Sequence, residues 1–217
     1  MLGAVLGRDA ASPLRVLCLG AHADDIEIGC GGTLLRLLAE RPGSSVRWIV
    51  FSADPVREGE ARASAAAFLR DAARADVVIR DFRESYFPAA ASEIKDFFET
   101  LKPGAPPDLI LTHRREDLHQ DHRTVAELTW NTFRDHLILE YEIPKYEGDL
   151  GRPNVFVPLT AAVARRKVEQ ILLYFASQRA RAWFRPETFD AVLRLRAIEC
   201  NAPEGFAEGL YARKLVV

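Results

Sequence analysis

The strongest constraint on the fold is an alternation that runs four times between residues 14 and 133, in which a short apolar run is followed by a stretch with helical spacing. Residues 14–19, 46–51, 77–82 and 108–112 read as strands, because brief continuous apolar runs bounded by turn residues suit strands covered on both faces. The stretches after them read as helices. Residues 33–40 carry leucines at 34, 35, 37 and 38, and residues 58–75 are rich in alanine. Residues 92–101 open on Ser92 as an N-cap and stop at Pro103-Gly104. The fourth helix is expected over 118–133. Strand–helix alternation predicts a parallel sheet wrapped by helices through right-handed crossovers. Ligands of such sheets bind beyond the carboxyl ends of the strands.

Two ionisable clusters fall at those ends. The first strand runs into LCLGAHADDIEIGCGG, which places His22, Asp24 and Asp25 at its end. Neighbouring carboxylates repel unless a positive charge lies beside them, and a fold alone gives no reason for the pair. The fourth strand leads into THRREDLHQDHRTVAEL, residues 112–128. Asp117 and Gln120 resemble a capping box that starts a helix at Leu118. His119 and His122 are then three apart on one side of its opening turns. Nitrogen and carboxylate ligands with a position left for water suit a catalytic zinc ion. Iron(II) also accepts two histidines and a carboxylate, whereas calcium and magnesium need only oxygen. Spacing does not say which of Asp24 and Asp25 binds metal; one should neutralise the ion while the other takes a proton from bound water. Gly29-Cys30-Gly31-Gly32 lacks the phosphate-loop patterns and reads as a tight turn with close helix packing.

The order and spacing of these motifs, His22-Ala23-Asp24-Asp25, Gly29-Cys30-Gly31-Gly32-Thr33-Leu34 and His119-Gln120-Asp121-His122, resemble the zinc-dependent de-N-acetylase family. That family includes N-acetylglucosaminyl-phosphatidylinositol deacetylases and deacetylases of the mycothiol and bacilliol pathways. The likeness runs from Val16 to about Glu127, and Arg57-x-x-Glu60 also resembles a family motif. The resemblance implies a Rossmann-like three-layer α/β sandwich with a mostly parallel sheet. It implies His22, Asp25 and His122 as zinc ligands, Asp24 as general base, His119 as the group that polarises the carbonyl or protonates the amine, and Asp121 as an orienting partner. Arg57 and Glu60 would touch substrate. Ala23 and Gln120 replace usual prolines. Neither proline supplies a ligand atom, and the loss at Ala23 is worth roughly 0.4–1 kcal/mol through the unfolded chain.

The last third is less regular. Strands are expected at 137–143, 154–157 and 214–217 and helices at 160–181 and 186–198, packed on one edge of the sheet and closing over the crevice. The 217 residues, 48% of them hydrophobic, support one domain, with 1–135 as the metal-binding part and 136–217 on the substrate side. A net charge of −2 argues against a nucleic-acid partner. The start carries no basic leader, no window is apolar enough for a membrane span, and three scattered cysteines form no CxxC pair. These features point to a cytoplasmic enzyme. The aromatic, acidic stretch 140–149 and the cluster Trp183-Phe184-Arg185 suit either a sugar pocket or a homo-oligomer contact. The expected activity is removal of acetyl from an N-acetylated sugar or small conjugate. An amidase of a thiol conjugate or natural-product intermediate is the first competitor, and a non-catalytic nucleotide-binding or regulatory module the second.

Overall fold

The computed structural model describes residues 11–216, so most of the opening stretch read for a leader, and Val217, lie outside the described residues. Strands β1 (Arg15–Gly20), β2 (Ser45–Val50), β3 (Arg74–Ile79) and β4 (Leu109–His113) alternate with helices α1 (Asp25–Glu40), α2 (Pro55–Phe68), α3 (Ala91–Thr100) and α4 (Gln120–Thr132). There follow β5 (Ile138–Tyr141), β6 (Val155–Leu159), α5 (Ala161–Tyr174), a 3-10 turn (Ala176–Gln178), α6 (Pro186–Cys200) and β7 (Phe206–Ala212). The seven strands form one sheet in the order β3-β2-β1-β4-β5-β7-β6. β1 to β5 are parallel, and β7 is antiparallel to both its neighbours.

The sheet is the middle of three layers. Val16 and Cys18 of β1 point to a core shared with α1, α2, α5 and α6, while Leu17 and Leu19 point to a second core with α3 and α4. This period-two division is what buries both faces. Strand order reverses at β1 and β4, and such a switch point leaves a crevice at the carboxyl ends. Both ionisable clusters open there.

Several boundaries differ from the sequence reading. β3 lies three residues earlier than expected, and α2 ends at Phe68. α3 begins at Ala91 with Ala90 at its N-cap, so Ser92 is inside the helix. The helix expected at 33 begins at Asp25, because the glycine cluster is helical apart from a kink at Cys30 (φ −145°, ψ 16°). The glycines permit close packing instead: a Cβ on Gly29 would lie 2.1 Å from the Tyr141 ring, and one on Gly31 2.6 Å from Phe68. A buried ion pair from the far end of the chain splices the kink. Glu208 accepts from Gly32 N (2.8 Å) and from Thr33 N and Oγ1 (both 2.6 Å). Lys167 Nζ donates to Glu208 (2.6 Å) and to the Ile28 carbonyl (2.7 Å). Together they satisfy backbone groups that a break in the helical ladder leaves unpaired.

The last third departs further. α5, capped by Thr160 on Val163 N, stops at Tyr174 and not at 181. β6 runs through Pro158, which is tolerated because β6 is an edge strand. The last strand of the described residues lies at 206–212, and 214–216 are not a strand, because Ala207 and Leu210 are buried between β5 and β6 whereas residues 213–216 are largely exposed.

Candidate metal centre and active site

His22 follows β1, and its backbone N–H donates to Asp25 Oδ2 at 2.6 Å, which fixes the turn into α1. His122 projects from the first turn of α4 toward the same point. His22 Nδ1 lies 3.2 Å from His122 Nε2, and Asp25 Oδ2 lies 3.4 Å from the first and 3.5 Å from the second. Three ligand atoms bound tetrahedrally at 2.0–2.1 Å would be about 3.3–3.4 Å apart. The three side chains belong to nearly buried residues, with His22 at 6% exposure and Asp25 and His122 at 3%. The donor set and spacing therefore fit a tetrahedral divalent ion. His113 is also close, 3.2 Å from Asp25 Oδ2 and stacked on His122 at 3.9 Å. Its Nε2 accepts the Ala21 N–H (2.9 Å), so its lone pair is already engaged.

Each histidine is oriented by a carboxylate. Asp121 Oδ2 meets His22 Nε2 at 3.1 Å, and Asp121 is itself held by Ser85 N and Phe87 N. Asp117 Oδ2 meets His122 Nδ1 at 3.0 Å and Lys145 Nζ at 2.9 Å. With its Nδ1 proton given to Asp117, His122 presents a lone pair on Nε2 toward Asp25 and His22. Burial opposes the charged form of His22, but Asp25 and Asp121 outweigh it and raise its pKa to about 10. Burial, with the charge of His22 adding to it, lowers His122 to about 3. Burial opposes ionisation of Asp25 as well, yet the surrounding histidines hold it well below the usual carboxylate range.

Asp24 has a different environment. Its Oδ1 accepts from Arg57 Nη2 at 2.9 Å, and Arg57 also reaches Glu84 at 3.4 Å. Burial pushes the Asp24 carboxyl above its ordinary pKa, with Arg57 opposing and Asp25 adding to the rise. His119, and not Asp117, is the N-cap of α4: its Nδ1 accepts from Asp121 N at 3.3 Å. That bond leaves the ring proton on Nε2. Burial and the charge of His22 lower the His119 pKa, so this ring is a neutral donor.

The structure thus gathers His22, Asp24, Asp25, His119, Asp121, His122 and Arg57 at one place. Glu60 is engaged elsewhere, accepting from Ser177 N (2.8 Å) and Oγ (2.6 Å). The sequence reading misses Asp117 as the orienting partner of His122, because Asp117 followed by Gln120 matches a cap. It misses Lys145 altogether, since 28 residues separate it from Asp117.

A three-layer α/β fold with two histidines and one aspartate converging at the switch point defines a Rossmann-like protein with a candidate metal centre. The family model described as PIG-L, GlcNAc-PI de-N-acetylase, matches residues 17–133, more than half of the chain, and the chain belongs to that family. No curated protein matches the sequence. Among solved structures it is similar to the conserved protein TT1542 from Thermus thermophilus, at 18% identity and a TM-score of 0.71, covering 94% of this chain and 96% of that one. It is similar to N,N'-diacetylchitobiose deacetylase from Pyrococcus horikoshii, at 16% identity and 0.68, covering 91% and 83%. The 4-carboxy-2-hydroxymuconate hydratase GalB from Pseudomonas putida gives 16% identity and 0.72, covering 94% and 98%. At these identities the likeness is one of fold.

Proposed function

We propose that the protein is a zinc-dependent hydrolase of the cytoplasm that removes the acetyl group from an N-acetylated sugar or related small conjugate. The observation that carries the reading is the triangle of His22 Nδ1, Asp25 Oδ2 and His122 Nε2, with edges of 3.2–3.5 Å, beside an Asp24 carboxyl of raised pKa. Family membership supports deacetylation, and three free cysteines suit a reducing compartment. His22, Asp25 and His122 would hold zinc or, with the same donor set, iron(II). When bound, the ion would acidify water and polarise the amide carbonyl.

The remaining roles belong to the chain's own groups. Asp24 takes the proton of the attacking water at Oδ2, since Arg57 holds Oδ1. Its raised pKa makes it a stronger base than an exposed aspartate. His119 donates Nε2–H to the oxygen that gains negative charge as the carbonyl is attacked. The proton taken by Asp24 passes to the nitrogen as the C–N bond breaks, giving acetate and an amine. Asp121 and Asp117 hold the two histidine rings, and Arg57 faces the substrate side. Glu60 would meet substrate only by releasing its two bonds from Ser177.

Acetate release from N-acetylglucosamine derivatives, measured together with bound metal, tests the assignment. Asp25→Asn should lose the metal. Asp24→Asn should keep it and lose about 10²–10⁴ in turnover. The opposite pattern would exchange the two roles, and no stoichiometric metal with no acetate after zinc addition would remove the reading.

A further inference from the structure

One buried carboxylate takes no part in the chemistry proposed above. Glu27, on the first turn of α1, is fully buried, and neither of its oxygens has a well-formed hydrogen bond among the described residues. Other carboxylates buried as deeply are held. Glu140 accepts from Arg115 N, Trp130 and Arg213, and Glu208 from Gly32, Thr33 and Lys167. A buried polar group is normally paired with protein or with ordered water, so Glu27 calls for a partner.

Two more buried polar groups in the same core have no such bond, the Ser64 hydroxyl of α2 and the Trp48 indole N–H of β2. Ser64 is beside Glu27: burial raises the Glu27 carboxyl well above its ordinary pKa, and the Ser64 hydroxyl opposes the rise. Trp48 is the neighbour of Cys18 in the register of β1 and β2, and both face the core under α1 and α2. Burial raises the Cys18 thiol, and Glu27 adds to that rise, which places the carboxyl over this pair of strands. A carboxyl and two donors thus gather between α1, α2 and β2, and three partners are what a buried water usually takes.

These groups are linked to the site through the helices that carry them. On α1, Asp24 and Glu27 are three residues apart. On α2, Arg57, Ala61 and Ser64 follow at spacings of four and three, which puts them on one face. The helices therefore meet through two polar rungs, with Ala61 buried on α2 between them. The outer rung is the 2.9 Å bond from Arg57 Nη2 to Asp24 Oδ1, and the inner one is Ser64 beside Glu27.

We propose that Glu27 and Ser64, with Trp48 as third partner, bind one buried water that locks α1 to α2, and that Glu27 and Ser64 are positioning residues for the Arg57–Asp24 pair. The water site stands on the unpaired groups alone, and the consequence for turnover rests on the deacetylase reading. With the inner rung closed, Arg57 stays on Oδ1 and leaves Oδ2 of Asp24 to the attacking water. With it open, α2 shifts along α1 and Arg57 leaves its place.

Crystal structures of wild type, E27M and S64A, at a resolution that shows ordered solvent, test the binding. A water within hydrogen-bond distance of Glu27 and Ser64 is expected in the wild type and not in E27M, where the 2.9 Å contact of Arg57 with Asp24 should lengthen. No water at that point, a direct Glu27–Ser64 bond in its place, or an unmoved Arg57 in both variants overturns the proposal. Kinetics of the zinc-loaded proteins on an N-acetylglucosamine derivative test the positioning. E27M, or S64A should E27M fail to fold, should lower kcat about 10–10²-fold, the scale of a displacement of about 1 Å beside reacting atoms. E27Q, which keeps the bonds to water, should restore most of the turnover, with zinc affinity unchanged throughout. In an Arg57→Ala background the same substitution should cost nothing further, because both act through one contact. Wild-type turnover in E27M and S64A, an E27Q as slow as E27M, or losses that add to that of Arg57→Ala overturn the positioning role. If none of the proteins releases acetate, the deacetylase reading falls, and the water and the Arg57 contact in the crystals still decide the proposal.

Discussion

Residues 15–133 and residues 136–216 share one sheet but are built on different principles. In the first part every crossover is parallel, and the converging ionisable groups come from the loops after β1 and β4 and the opening turns of α1 and α4. In the second, β7 runs antiparallel between β5 and β6, and buried charges pair over long sequence distances. Lys167 meets Glu208 at 2.6 Å, and Arg196 grips Glu142 at 2.6 and 2.9 Å, with each of these four residues nearly buried. The first part carries the groups of the candidate centre. The second holds the kink of α1, the helix whose N-cap and first residue are Asp24 and Asp25. The candidate centre and the buried pairs that brace α1 thus come from different stretches of chain.

Two substitutions test that division from opposite sides. Glu208→Ala would leave Lys167 buried without its counterion and strip acceptors from Gly32 and Thr33. Breaking one side of a buried pair costs about 3–5 kcal/mol. In a domain of this size that corresponds to a drop of about 6–20 °C in Tm. His119→Ala should leave the Tm near that of the wild type and slow acetate release by about 10²–10³, the loss expected for one donor to an oxyanion. An unchanged Tm in Glu208→Ala with turnover abolished would place the last third in the chemistry and end the contrast.

A smaller effect sharpens the boundary between the two parts. Asp117 precedes α4, yet its Oδ2 is shared between His122 and Lys145 of the loop after β5. Asp117→Asn should weaken zinc affinity about 10–100-fold, the usual consequence of losing the partner that orients a ligand. Competition with a chromogenic chelator measures it. Lys145→Met should give the same change in weaker form; an effect as large as that of Asp117→Asn would mean that the last third helps set the centre itself.

The same contrast explains what is readable in advance. Strands β1 to β5 are legible to within a few residues, because short apolar runs buried on both faces have little else to become. His22, Asp24, Asp25, His119, Asp121 and His122 are legible because each cluster is contiguous and sits at a strand end. The start of α1 is not. Three glycines within four residues argue locally against a helix, and the groups that make it worthwhile are Tyr141, Phe68 and Glu208, all distant in sequence. Asp117 is easily misread because accepting the His119 N–H and orienting His122 use the same carboxylate, and only the first is a local pattern. β7 falls earlier than its sequence suggests because its burial depends on β5 and β6 reaching it from both sides.

The pH dependence of the metal-free protein follows from His22 and His122 acting as a pair. Their facing nitrogens are 3.2 Å apart and hold one proton between them: His22 is raised to about 10 and His122 lowered to about 3. In the unfolded chain both would titrate near 6.5. Below that value the unfolded state binds two protons and the folded state one, so the stability contributed by the pair falls as pH drops from about 6.5 toward 3. Above it the unfolded state binds none and the folded state keeps one, so the contribution falls again as pH rises toward about 10. Melting in the presence of chelator should therefore show this contribution greatest near neutrality, and His22→Phe should remove the decline on the alkaline side. Zinc has to displace the proton on His22, so its affinity should rise about tenfold per pH unit over the same alkaline range. An affinity independent of pH between about 7 and 9 would mean that His22 is already neutral in the folded protein, and that Asp25 and Asp121 hold its ring without charging it.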